Sequence, residues 1–476
     1  MRLSRTTLAS IPAGIATPLG RAEPAIGIVH FGPGAFHRAH QASYIDDLLA
    51  RDSRWGIAAA SLRSAGTIEA LAAQDGLYTL AVRDATPTMR VIGAHKRFLG
   101  PGDHRALAGL LADPAVQLVT MTVTEKGYCL RADGTLDLTH PDIAHDLAGG
   151  VPRSIVGWLV AGLSARRAAG APPFMPMPCD NLANNGTKLH AALVAFAAER
   201  DADLAAWIAA GVRVPCTMVD SITPATDAAL IADTTAALGM EDAIPVQREA
   251  FRQWVIEDVG GEALAALASV GATVTNDVAG YERAKLRILN GSHSTLAYLG
   301  LLRGATDVAG AMADAELADF VARMIRQDIV PTLPDLPGLD LGQYAEAILA
   351  RFRNPAIVHR LDQIAQDGSQ KLPYRLGDTL AANRAAGRMP DHAVRALGGW
   401  VAFLIARANT DTGVIDPAAE RLRAIAAARD PYAVVDGLVA AGFLVPAALS
   451  GDRAVLSAIG DAASAASENR WTDFFA

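Results

Sequence analysis

The stretch Ile26-Gly27-Ile28-Val29-His30-Phe31-Gly32-Pro33-Gly34-Ala35-Phe36-His37 decides the fold. Its first half is an apolar run of strand length. It feeds directly into Gly-x-Gly, and a helical pattern follows to about Ala50. Strand, Gly-x-Gly, helix is the context that a dinucleotide fingerprint requires. Gly32 permits the tight turn, Gly34 lets the main chain approach a pyrophosphate, and the helix N-terminus faces the anion. The third glycine is absent and His37 stands in its place. A plain strand-to-helix turn is the competing reading. His37 and His40 have no carboxylate or cysteine that completes a metal set, so supporting the residues around a site or helix packing is their expected role.

Downstream segments alternate in the way a parallel sheet demands. Trp55–Ser61 reads as the second strand. An acidic residue often ends this strand in NAD-preferring units, to bind the ribose hydroxyls. Here Ser61-Leu62-Arg63-Ser64 follows. Arg63 suits a 2′-phosphate or flanks the adenine, so the choice between NAD and NADP stays open. Residues 77–99 form a β-excursion, with Leu77–Arg83 and Met89–Ile92 as strands. Val116–Thr124 is a buried strand ending in Glu125-Lys126-Gly127-Tyr128, and its carboxyl end belongs at the cofactor crevice. A helix over 153–169 leads to the amide-rich turn Cys179-Asp180-Asn181-Leu182-Ala183-Asn184-Asn185-Gly186. That turn reads both as a site loop and as the capped start of a helix over 187–200. Val212–Val219, ended by Asp220, is a further strand. Phe251–Ile256 and Thr273–Asp277 are two more candidates.

Composition narrows the function classes. The chain has 476 residues, 51% of them apolar, and a net charge of −8 with both signs interspersed. Two domains with sizeable cores are expected. No basic patch marks a nucleic-acid surface. The N-terminus lacks a secretory h-region, and no apolar run is long enough to span a bilayer. Cys129, Cys179 and Cys216 are far apart and odd in number, as free thiols in a reducing cytoplasm would be. A cytoplasmic enzyme, monomeric or a small homo-oligomer, is the expectation.

From residue 281 the periodicity is helical almost throughout, with breaks at 331–337, at Asn354-Pro355 and near 367–373. We therefore expect a Rossmann-type domain over 1–280 and a mainly helical domain over 281–476, an α/β architecture. The second begins with Tyr281-Glu282-Arg283-Ala284-Lys285-Leu286-Arg287-Ile288-Leu289-Asn290-Gly291-Ser292-His293. In a regular α-helix, His293 lies roughly 80° round from Lys285, Asn290 roughly 140° and Glu282 roughly 60°. The four share one broad face. A lysine in apolar surroundings can serve as a base, an asparagine can donate to an oxyanion, and a histidine can orient a hydroxyl. The plain alternative is an amphipathic helix with a solvated lysine. Further on, Lys371 and Arg375 follow the Asp367-Gly368-Ser369 loop one turn apart. They form either an anion clamp or two solvated cations.

Taken jointly, these segments resemble the polyol-specific long-chain dehydrogenases, the mannitol dehydrogenase family, over nearly the whole chain. The matching stretches are Gly32–Gln41, Thr122–Tyr128, Cys179–Asn181 with Asn185-Gly186, Met218–Asp220 with Ile222–Pro224, Lys285 through Asn290 to His293, and Asp367–Lys371. The resemblance implies a Rossmann-type domain, a helical domain, an active site between them and metal-free hydride transfer. It implies Lys285 as general acid/base, Asn290 and Asn181 as donors to the alkoxide, and His293 as the group that aligns the hydroxyl. Asn185 is the other candidate for the second amide. NAD is the expected cofactor, with NADP the alternative. The expected cofactor-facing residues are Ile28, Phe31, Gly32, Gly34, Ala35, Phe36, Arg63, Thr124, Glu125 and Asp220. Those expected at the substrate are Lys126, Glu282, Arg360, Lys371 and Arg375.

One departure bears on the substrate. The mannitol-oxidising members tend to carry Arg where this chain has Gln363, and Glu-Gly-Gly-Tyr where it has Glu125-Lys126-Gly127-Tyr128. The versions here resemble the mannonate/fructuronate branch. The expected reaction is alcohol–ketone interconversion on a linear sugar derivative, with D-mannonate/D-fructuronate ahead of mannitol, arabinitol or sorbitol. A non-catalytic NAD-binding regulator is the alternative from another class. An intact Lys–Asn–His set argues against it, since a binder has no use for a base.

Overall fold

Five parallel strands carry the N-terminal half: β1 (Ile26–Phe31), β2 (Gly56–Ala60), β3 (His95–Leu99), β4 (Leu118–Met121) and β5 (Met175–Pro178). This computed structural model describes residues 1–476 except 409, 411 and 412 and the side chain of Glu125. The strand order is β3-β2-β1-β4-β5. The order reverses between β1 and β4, and open α/β sheets bind ligands beyond the carboxyl ends of the strands at such a point. Phe31 pairs with Ala60 on one side and Met121 on the other, so β1, β2 and β4 end level with one another.

Alternation builds a core on each face of the sheet. Val29, Phe31, Ala58, Ala60, Val119 and Met121 pack against Trp158, Leu163 and Phe196, from helices Ile155–Ala168 and Asn185–Ala198. Ile28, Ile57, Ala59 and Leu118 face the other way, onto Tyr44, Ile45 and Leu48 of helix Gln41–Leu49. Burial on both faces explains why these strands read as continuous apolar runs.

Two strands of this sheet escaped the sequence reading as separate elements, and both lie at its edges. β3 carries Lys96 and Arg97 within the β-excursion. β5 reads Met-Pro-Met-Pro, in a stretch that looks like a proline-broken turn. Met175 and Cys179 donate their N–H groups to the Gln117 and Met121 carbonyls. Pro176 and Pro178 therefore turn their missing donors to the open side, where an edge strand tolerates them.

The chain divides into two units, Met1–Ala279 and Gly280–Ala476. The second is helical. Its long helix Asp391–Arg407 packs against Ser292–Leu302 and Arg453–Ser467. Three of its segments are π-helices: Lys285–Gly291, Met324–Ile329 and Pro373–Gly377, and the first packs against both others. The break expected near 367–373 falls at Asp367, whose φ is +58°, and not at Pro373. Helix Gly368–Leu372 runs on through Pro373–Gly377 into Asp378–Ala385. A proline ring clashes with the carbonyl four residues back in an α-turn, and the wider π-turn relieves that clash. Among the described residues no helix is long and apolar enough to cross a membrane.

Candidate active site

In the first unit the chain leaves β1 at Gly32, whose φ is +84°. A Cβ built there would lie 2.6 Å from the Thr122 carbonyl oxygen, so the position needs glycine on two counts. The turn is held from below. The Thr122 hydroxyl donates to the Gly32 carbonyl at 2.7 Å, and His30 Nε2 lies 3.0 Å from the Thr122 hydroxyl oxygen. The His37 ring stacks on His30 with centroids 3.3 Å apart, and its Nε2 lies 3.0 Å from His95 Nε2. Burial pushes His30 and His95 down to about 3, and His37 well below its ordinary value. His37, in the third-glycine position, thus belongs to a neutral imidazole stack under the loop. That is the packing role expected of it.

Above the loop the space is open. The nearest atom to a Cβ built on Gly34 is the Gly32 oxygen, 3.9 Å away, and the helix Ala35–Ala39 begins immediately after. Two cavities adjoin here. One of about 390 Å³ is lined by Phe31, Gly32, Arg63, Thr124 and Asp142. The other, about 630 Å³, is lined by Phe36, Thr124, Lys126, Asp180, Asn181 and Val219. Val123 and Thr124 line both. An open main-chain turn with an elongated, partly apolar cleft beside it fits a dinucleotide.

Other expected positions divide. Ile28 is buried at mid-strand and lines neither cavity, Ala35 is half-buried on the first helical turn, and Asp220 is buried at the end of strand Thr217–Asp220. The Glu125 side chain lies outside the described residues. Arg63 is exposed and pairs with Asp142 at 2.9 Å. Cys129, His140 and Asp142 form the metal-like cluster found among the described residues, with ligand atoms within 4.8 Å of one another. Two of its members are engaged: His140 Nδ1 accepts the Asp142 N–H, and Asp142 holds Arg63.

The two candidate amides are in different situations. Asn185 is buried; its Oδ1 accepts the N–H groups of Gly186 and Thr217, and its Nδ2 donates to the Thr217 carbonyl. Its amide ties a helix start to a neighbouring strand. Asn181 is exposed and lines the larger cavity. Its turn is held by Asp180, which accepts the buried Tyr128 hydroxyl and the Leu182 N–H.

In the second unit Lys285 and Asn290 both lie on the first π-helix. The i→i+5 hydrogen bonds of a π-helix set residues five apart one above the other, whereas an α-helix would put them about 140° apart. Both are half-buried, as is Glu282 one turn before. His293 follows on the α-helix Ser292–Leu302; it is buried, and its Nε2 finds no partner among the described residues. Burial, and then His359, hold its pKa well below the ordinary value, so it is neutral near pH 7. His359 packs edge-on to His293 with centroids 4.9 Å apart. Sequence reasoning missed His359, because a lone histidine in a loop carries no spacing signal.

The cations of the second unit are held differently. Lys371 donates to the Gln366 carbonyl at 2.8 Å and pairs loosely with Asp367 at 3.4 Å. Burial first, then the Arg375 charge, lowers its pKa. The Arg375 guanidinium donates to the Ser294 hydroxyl and towards the Asn290 carbonyl. Arg360 is exposed and forked onto Asp362. It lines a separate, largely apolar cavity of about 610 Å³ with Leu301, Val358 and Phe403.

Comparison with known proteins adds independent findings. Residues 26–265 match the mannitol dehydrogenase Rossmann domain, and residues 277–440 match the mannitol dehydrogenase C-terminal domain. The chain is 40% identical over 401 residues to the D-mannonate oxidoreductase of Escherichia coli (strain K12), with 82% of each chain covered. It is 41% identical over 396 residues to the mannitol 2-dehydrogenase of Cereibacter sphaeroides, again with 82% of each covered. Among solved structures, the Pseudomonas fluorescens mannitol 2-dehydrogenase in ternary complex with NAD and D-mannitol superposes with a TM-score of 0.83 at 34% identity. That match covers 100% of this chain and 99% of that one.

Proposed function

The chain belongs to the mannitol dehydrogenase family, and from that premise we propose that it is an NAD-dependent polyol and sugar-acid dehydrogenase whose preferred pair is D-mannonate/D-fructuronate. When bound, the nicotinamide supplies the hydride acceptor. The residues of this chain do the rest. Lys285 takes the proton of the reacting hydroxyl. Asn290 and Asn181 donate to the oxygen as negative charge develops on it, where fixed donors act most strongly. His293, kept neutral by burial, orients the hydroxyl without competing for its proton. Gly32 and Gly34 give the pyrophosphate access to the main chain. Phe31, Phe36, Arg63 and Thr124 flank the rest of the cofactor.

One observation carries the preference for an acid: Lys126 and Asn181 line the same cavity. An ammonium group beside the proposed oxyanion donor has no partner in a neutral polyol, whereas an aldonate carboxylate would match it. Lys371, held only loosely by Asp367, is the second proposed partner. A neutral polyol is the second reading, favoured by the similarity to the mannitol 2-dehydrogenases of Cereibacter sphaeroides and Pseudomonas fluorescens.

The test is a panel of D-mannonate, D-mannitol, D-arabinitol and D-sorbitol with NAD and with NADP, followed by nicotinamide absorbance. We expect D-mannonate with NAD to give the highest kcat/KM. Lys126→Met and Lys371→Met should each raise the KM for the acid by a charged hydrogen bond's worth, about 1.5–3 kcal/mol. The KM for mannitol should stay near its starting value. Better turnover of mannitol than of mannonate by the wild type would overturn the substrate choice and leave the dehydrogenase reading in place.

A further inference from the structure

Arg375 is a half-buried guanidinium with no carboxylate partner among the described residues. Its pKa is lowered, chiefly by burial. Such a charge needs a reason to be where it is. Its donors point along the chain to the Lys285–His293 segment. Nη1 donates to the Ser294 hydroxyl at 3.0 Å and lies 3.5 Å from the main-chain carbonyl oxygen of Asn290. Ser294 is buried and adjoins His293.

The carbonyl of Asn290 sits at the C-terminal edge of the π-helix. Arg375 Nη1 approaches this carbonyl from the side at 3.5 Å, where i→i+5 bonding gives way to i→i+4. The main chains also meet at this point. A Cβ on Gly291 would lie 3.1 Å from the Arg375 carbonyl oxygen and 3.5 Å from Leu376 Cδ2. The two π-helices, Lys285–Gly291 and Pro373–Gly377, are therefore joined twice, once by backbone contact at Gly291 and once through the Arg375 side chain.

We propose that Arg375 is a positioning residue: it clamps the end of the catalytic π-helix by the Asn290 carbonyl and Ser294, and so fixes the direction of the Asn290 amide relative to Lys285 and His293. This rests on the reading that Lys285, Asn290 and His293 act on the reacting oxygen. It differs from an anion clamp, in which Arg375 would hold the substrate carboxylate. A clamp on the π-helix serves acidic and neutral substrates alike, and it acts in the chemical step. An anion clamp acts on the acid alone, through KM.

The experiment compares Arg375→Met, Arg375→Lys and Ser294→Ala with the wild type in the full chain. D-Mannonate and D-mannitol are the substrates, and NADH affinity is measured by fluorescence titration. Loss of alignment by about 1 Å should cost about 10²-fold in kcat for Arg375→Met, by similar factors on both substrates, with NADH affinity and both KM values held near wild type. Arg375→Lys keeps the charge but not the fork, and should recover only part of the loss. Ser294→Ala should show a smaller loss of the same kind. Should Arg375→Met fail to fold, the other two variants make the same comparison. A raised KM confined to mannonate with kcat unchanged would overturn the proposal in favour of an anion clamp. Unchanged kinetics on both substrates would overturn it outright. Lys285→Met, run alongside, separates the layers: if it stays active the catalytic reading itself fails. If it is inactive while Arg375→Met is fully active, only the positioning role fails.

Discussion

Two short segments carry the proposed chemistry, the Gly32–Gly34 turn of the first unit and the Lys285–Gly291 π-helix of the second, and glycine does different work in each. Gly32 has φ +84°, a conformation that side chains avoid, so its identity follows from its own backbone. Gly291 has an ordinary helical φ of −61°. It is needed because the Arg375 carbonyl comes within 3.1 Å of where its Cβ would be. The first requirement is local and the second is tertiary. Local requirements leave a signature in the sequence, and tertiary ones leave none until the partner element is known.

The largest effect expected tests the π-helix side. Lys285→Met removes the proposed proton acceptor and should cut turnover by roughly 10²–10⁴-fold. NADH binding, which we assign to the first unit, should remain near normal. Near-wild-type turnover across the pH range would contradict the assignment.

The next concerns the ground under the Gly32 turn. Burial holds His30, His40 and His95 at about 3, against 6.5 for the ordinary imidazole. Below pH 6.5 the unfolded chain therefore binds protons that the folded chain refuses. The stability these rings permit is complete above pH 6.5 and is lost as pH falls towards 3. The slope is about 1.4 kcal/mol per pH unit for each ring. Hydrogen exchange at pH 7 and pH 5 should show protection falling first around Ile26–His40. Equal protection at both pH values would show that the rings take up protons without unfolding.

A smaller effect separates the two glycine requirements. Gly34→Val puts a side chain into open space above the turn, so the fold should survive while NADH affinity falls by about tenfold, the scale of 1–2 kcal/mol. Gly291→Ala presses on the Arg375 carbonyl and should lower kcat several-fold, a cost of about 1 kcal/mol, with NADH affinity intact. If both substitutions altered the same parameter, the contrast between the segments would collapse.

How much could be read beforehand follows the same line. The strand into Gly32, the strand expected over Val116–Thr124 (observed as Leu118–Met121) and the helical character beyond residue 281 were legible, because each is written in local periodicity. β3 and β5 were not resolved as strands: charge and proline are tolerated there only because both lie at edges, and edge position is a property of the sheet. The residue types proposed for the site stand out through the joint pattern of motifs, but the local geometry of their segment does not. Read as a regular α-helix, the segment puts Asn290 roughly 140° round from Lys285, at the far edge of the face the four residues share. The π-turns that narrow this angle pack against Met324–Ile329 and Pro373–Gly377, far away in sequence. Asn290-Gly291, a turn dipeptide inside a helix, was the one local sign of a distortion. The engagement of the Asn185 amide is likewise tertiary: its partner Thr217 lies on another strand.

A double-mutant cycle on Lys285 and Asn290 tests the central claim most directly, that the π-register makes the two side chains act together on one oxygen. Turnover would be measured for Lys285→Met, Asn290→Ala and the double variant, with NADH affinity as the check on folding. Groups that act as a unit are strongly non-additive. The account predicts that the double variant falls within about tenfold of Lys285→Met alone, because an amide aimed at a developing alkoxide has little to stabilise once the proton acceptor is gone. Losses that simply multiply would mean that the two residues act independently, and would contradict a shared site on the π-helix.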